Sequence, residues 1–147
     1  MMNQAVFDYH LPIMVILLPL CGSLLCPAAC RLMPRKGRWI VVWGLAGSVI
    51  CAVLQLKQIV KTGEAVHYWM GNWKPPYGIE FVIDGVNGLI ILVVAVISLL
   101  TAVYSLSFEK TESKGNVRTA GYYCMLSFLA IGLLGMASTG DAFTLYV

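Results

Sequence analysis

The sequence predicts an all-α integral membrane protein: four transmembrane helices, the start of a fifth, and a short outward-facing β-hairpin between helices 2 and 3. Three observations carry this. The 147 residues are 59% apolar and only 12% charged, about half the charged share of a soluble domain, and the mean hydropathy is +0.81. The apolar residues gather in uncharged runs near the length of about 20 residues that a bilayer crossing needs. Between the second and third runs, residues 67–87 form an aromatic, turn-rich stretch unlike the rest.

Residues 1–10 are a polar lead without Lys or Arg. A secretory signal begins with a basic segment, so this is not one. Pro27-Ala-Ala-Cys30 is a poor lipoprotein site, with proline where an aliphatic residue belongs. The first helix is expected over residues 11–32, with Pro12, Pro19 and Pro27 inside it. Membrane helices tolerate proline where neighbours satisfy the carbonyls it frees, so these prolines imply packing within a bundle.

Arg31, Arg35, Lys36 and Arg38 follow, around the turn residues Pro34 and Gly37. The second helix is expected over residues 39–60. It opens with Trp39 and Trp43 at interfacial depth, and Lys57 near its end is placed to snorkel to the interface. Gly44, Ser48 and Ala52 recur every four residues. That is either a close-packing face or chance in a segment rich in small residues.

Val66–Met70 and Ile79–Ile83 are rich in β-branched and aromatic residues, which favour strands. Gly71, Asn72, Pro75, Pro76 and Gly78 lie between them and are turn formers. Trp69 and Trp73 suit the water–lipid boundary. The third helix is expected over residues 84–108 and is long enough to span with some tilt. A polar connector holding Lys110, Lys114 and Arg118 follows. The fourth helix, residues 120–138, offers Gly132 and Gly135 for close packing, and a fifth starts at Phe143.

Basic residues concentrate in the first and third connectors, and basic loops stay cytoplasmic. The chain is therefore expected in the cell (inner) membrane as a multi-pass protein, with the N-terminus and hairpin on the outer, periplasmic side. The net charge of +3, localised in loops, does not suggest nucleic-acid binding. Cys21, Cys26, Cys30, Cys51 and Cys124 all fall in apolar runs and read as reduced, small hydrophobes. Cys26 and Cys30 share a helix face, but a metal site needs further ligands and none is in sequence reach. Phosphate-cradling, nucleophile-elbow and zinc signatures are absent, so no catalytic centre is expected in this chain.

Gly71-Asn-Trp-Lys-Pro-Pro-Tyr-Gly-Ile-Glu-Phe-Val-Ile-Asp84-Gly-Val-Asn87 resembles the segment that opens the third helix of the antiporter-like subunits of respiratory complex I and their relatives. Those relatives are the D-type components of the Mrp-type Na⁺/H⁺ antiporters and the membrane subunits of the membrane-bound hydrogenase and formate hydrogenlyase complexes. Asn72 splits the family's Gly-Trp pair. A second match, Ser138-Thr-Gly-Asp141-Ala-Phe-Thr-Leu-Tyr-Val147, resembles the family's entry to its fifth helix. Residues 143–147 lean toward the Mrp and hydrogenase members.

The resemblance implies a 14-helix subunit that moves H⁺ or Na⁺ through a glutamate on the fifth helix and lysines on later ones. It implies other membrane subunits as partners; composition gives the lipid bilayer as surroundings, and no haem, flavin or iron–sulfur ligand pattern appears, so no cofactor is expected. This chain would be roughly the first third, a fragment ending before that glutamate. Two acids match family positions: Asp84 and Asp141. Each reads either as part of the ion path or as a helix-entry group, capping the first turn. Lys57 and Glu80 are expected to be solvated. A complete four-helix membrane scaffold or assembly protein without transport is the alternative. A small multidrug transporter would want an acid within the first helix, and residues 11–29 hold none.

Overall fold

The computed structural model describes residues 2–32, 37–63, 65–69, 80–108 and 116–139. Helices α1 (Met2–Leu32), α2 (Trp39–Thr62), α3 (Gly85–Phe108) and α4 (Asn116–Ser138) enclose a bundle, and strands β1 (Val66–Trp69) and β2 (Glu80–Ile83) pair between α2 and α3. The segments long and apolar enough to cross a membrane are His10–Leu32, Trp39–Thr62, Gly85–Ser107 and Ala120–Ser138. The first and last helices therefore begin ahead of their apolar runs, at Met2 and Asn116. Hydropathy marks where a helix enters lipid, whereas the hydrogen-bonded ladder extends one bond per residue until a breaker stops it. Residues 2–10 contain neither Pro nor Gly, and Asn116 follows Gly115.

The helices form a ring: α1 packs on α2 and α4, and α3 packs on α2 and α4. Two apolar cores are stacked along the ring. One, toward the α1–α2 connector, includes Cys26, Val41, Leu45, Leu106 and Tyr123. The other, toward the hairpin, includes Leu11, Cys51, Ile59, Ile91 and Leu134. Serines 48, 98 and 127 are buried; by chain position Ser48 and Ser98 lie between the two cores on their helices, and Ser127 lies within the first, between Tyr123 and Ala130.

Gly44 sets the α1–α2 separation. A Cβ there would stand 2.9 Å from the Leu18 carbonyl oxygen and 3.4 Å from Pro19 Cα, contacts that only a bare backbone avoids. The Gly44, Ser48, Ala52 row is thus a packing face: Ser48 bonds to α1 and Ala52 is buried. Gly132 and Gly135 remain available and are not packed against the described residues. A Cβ on either meets nothing within 4 Å, so α4 turns them away from the other described residues. Gly63 ends α2 in the left-handed region (φ 69°), its N–H donating to the Ile59 carbonyl at 2.8 Å, a conformation glycine adopts without a Cβ penalty.

The hairpin is antiparallel, Val66 opposite Ile83 and Trp69 opposite Glu80. Tyr68 and Phe81 are buried and stack with ring centroids 6.5 Å apart. Phe81 also bridges to Thr139, just beyond α4. His10 Nδ1 lies 3.4 Å from the Tyr68 hydroxyl, tying β1 to α1. On the outer face Glu80 accepts from Trp69 Nε1 at 3.1 Å and lies 2.7 Å from His67 Nδ1. Glu80 is therefore a half-buried hairpin clamp and not the solvated charge expected.

Candidate functional site

Proline positions the polar contacts of the bundle interior. A helical proline has no N–H, so the carbonyl four residues before it loses its partner. Pro19 frees Val15, and Ser48 Oγ on α2 donates to that oxygen at 2.7 Å. Pro27 frees Ser23, and Cys124 Sγ on α4 donates to that oxygen at 3.3 Å. Ser127 Oγ, also on α4, donates to the Pro19 carbonyl at 3.0 Å. Two of the three α1 prolines are thus matched by hydroxyl or thiol donors from neighbouring helices, which satisfies groups that lipid cannot. Ser98 Oγ returns to its own Val94 carbonyl at 2.8 Å.

Asp84 stands at the hairpin–α3 corner, exposed. Its Oδ1 accepts the Asn87 backbone N–H at 2.8 Å, and its carbonyl accepts Gly88 N–H at 2.9 Å. This is N-cap geometry, an acceptor for an orphan first-turn donor at the positive end of the helix dipole. Asn87 Nδ2 donates back to the Val82 carbonyl at 3.3 Å, closing the corner. Asp141 and the fifth-helix start at Phe143 lie outside the described residues, as do Arg35, Lys36, Lys110, Lys114 and the hairpin turn from Met70 to Ile79.

Two features escaped sequence reasoning. Gln55 on α2 is 1% exposed, and neither amide heteroatom has a hydrogen-bond partner among the described residues. Glutamine in an apolar run was the available signal, but its inward aim was not legible. The second is a groove of about 640 Å³ between α1 and α4, lined by Ser23, Leu24, Pro27, Arg31 and Phe128 among others. Cys30 and Cys124 also line it. Cys26 and Cys30 are buried beside it, with sulfurs 3.8 Å apart. Among the described residues no group of three His, Cys, Asp or Glu is placed to hold a metal ion.

No family model matches the chain. Individual proteins do. It is 31% identical over 138 residues to NADH-quinone oxidoreductase subunit N of Desulforudis audaxviator, covering 94% of this chain and 27% of that protein. It is 33% identical over 135 residues to the D-type component of the Na⁺/H⁺ antiporter of Bacillus subtilis, covering 90% and 26%. Among solved structures it superposes on a chain of the membrane-bound sulfane sulfur reductase, an archaeal respiratory membrane complex, with a TM-score of 0.79 and 28% identity over 92% of this chain and 27% of that one. The chain is homologous to the antiporter-like membrane subunits. It spans about a quarter of the length of these homologues, which are multi-pass subunits of multisubunit membrane complexes. Four membrane-capable helices and an intervening hairpin are the architecture expected of that resemblance.

Proposed function

We propose that this chain is the N-terminal portion of a subunit that translocates H⁺ or exchanges Na⁺ for H⁺, within a complex I-like oxidoreductase, a membrane-bound hydrogenase or a multisubunit cation/proton antiporter. The observation that carries the reading is similarity along nearly the whole chain to subunits named for an NADH-quinone oxidoreductase and a Na⁺/H⁺ antiporter. The interior supports a supporting role within such a subunit. Ser48, Cys124 and Ser127 spend their donors on α1 carbonyls, and the membrane-capable segments bury no carboxylate or lysine among the described residues. A charge at mid-bilayer costs at least about 2.5–3.5 kcal/mol, and this region avoids it. The working acid–lysine axis belongs to the part of the subunit that these residues brace.

Basic connectors support an inner-membrane placement with the hairpin facing outward. Asp84 and Asp141 serve helix entry in this reading, and Asp84 already spends one oxygen on Asn87. The test is transport by the full subunit co-expressed with its partner subunits in everted vesicles, read as a pH gradient collapsed by added Na⁺ or built by substrate oxidation. Transport is expected, and Asp84→Asn, which keeps the cap acceptor, should stay within a few-fold of it. No transport with an intact, assembled complex would replace the proposal with the scaffold reading. A loss beyond tenfold, about 1.4 kcal/mol, in Asp84→Asn would return that carboxylate to the ion path.

A further inference from the structure

The α1–α4 groove combines three features that no contact described above requires. Its walls are apolar and open sideways: Leu24 is 63% exposed and Phe128 49%. At one end stands Arg31, exposed and without an ion-pair partner among the described residues. Inside it lies Ser23, 1% exposed, whose hydroxyl has no hydrogen-bond partner although its carbonyl is occupied by Cys124. A buried hydroxyl left unpaired costs about 1–3 kcal/mol, so the site asks for an acceptor that the described residues do not supply.

We propose that this groove holds one anionic phospholipid. The ligand chemistry follows from the order of the groups. Arg31 offers a planar fork of donors suited to a phosphate. Ser23 lies two turns deeper, about 12 Å along the axis at 1.5 Å per residue. Helical side chains lean back toward the N-terminus, so the guanidinium reaches part of that way toward Ser23. The Ser23 hydroxyl then donates to an ester carbonyl beneath the headgroup, and an acyl chain lies along Leu24, Pro27 and Phe128. The α1–α2 connector at this end carries Arg35, Lys36 and Arg38 and no acid in sequence, which favours anionic over zwitterionic headgroups. The inference rests on a bilayer around the helices and not on transport, so the two can fail separately.

The test uses the full subunit in its assembled complex, reconstituted into vesicles of equal parts phosphatidylcholine and phosphatidylglycerol. One of the two lipids carries a photoreactive acyl chain, and cross-linked peptides are mapped by mass spectrometry. Photoreactive phosphatidylglycerol should label the groove residues Leu24 and Phe128 about fivefold more than the phosphatidylcholine probe, the ratio that corresponds to the ~1 kcal/mol of one basic residue at an anionic surface. Arg31→Gln should abolish that preference, and Arg31→Lys should keep it. Arg31 is exposed, so both variants should assemble, as checked by gel filtration. Equal labelling by the two probes would mean bulk lipid wetting an apolar seam, and no labelling would mean a protein helix fills the groove. Either result overturns the proposal.

Discussion

Replacing Ser48 by alanine tests whether proline and serine act as one unit. In the native chain Pro19 leaves the Val15 carbonyl without a helical donor, and the Ser48 hydroxyl fills that place at 2.7 Å across the α1–α2 contact. Polar contacts between membrane helices average about 0.6 kcal/mol and reach about 1.7. This one sits at the upper end, because Ser48 is fully buried and its loss strands a carbonyl where no water competes. Ser48→Ala should therefore destabilise the protein by about 1–2 kcal/mol. Pro19→Ala restores the residue-19 N–H and with it the helical bond to Val15. In that background Ser48→Ala should cost only a few tenths of a kcal/mol, leaving a coupling energy of about 1 kcal/mol in the double-mutant cycle. The assay is reversible unfolding in mixed detergent micelles, followed by helical circular dichroism as denaturing detergent is titrated. Costs that add within about 0.3–0.5 kcal/mol would refute the claim that Ser48 serves the carbonyl Pro19 exposes.

Three other outcomes can be measured in the same assay. Gly44→Val puts a Cβ 2.9 Å from the Leu18 oxygen and should cost about 1–3 kcal/mol, whereas Gly132→Val, with open space around it, should change stability by less than about 0.5 kcal/mol. Gln55→Leu removes a buried amide with no partner and should raise stability by about 1–3 kcal/mol; a fall would show that the amide is satisfied by groups beyond the described residues. Asp84→Ala should cost about 1 kcal/mol by uncapping α3, and Asp84→Asn much less; equal losses would shift the explanation from the hydrogen bond to the charge.

The bundle's outline was legible because it depends on composition over windows of about 20 residues. The apolar runs, the basic connectors and the aromatic stretch of residues 67–87 each report their surroundings locally. Asp84 was legible too, since an acid before an apolar run signals a helix start, and the cap is made within three residues. Gly132 and Gly135 stay open, because small size says that a helix can approach there, not that a described one does. Glu80 was misjudged because its partners, His67 and Trp69, arrive through strand register.

What the amino-acid order determined alone is that four segments are long and apolar enough to cross a membrane and that α1 must carry exposed carbonyls, because hydropathy and the missing proline N–H are properties of single residues and short runs. What tertiary structure decided is who answers them. Ser48 is 33 residues from Val15 and Cys124 is 101 from Ser23. Each meets its acceptor only through the rotation of α2 and α4 about their own axes. For α2 that rotation is set by glycine contacts with α1, and for both helices by the stacked cores, which act across helices.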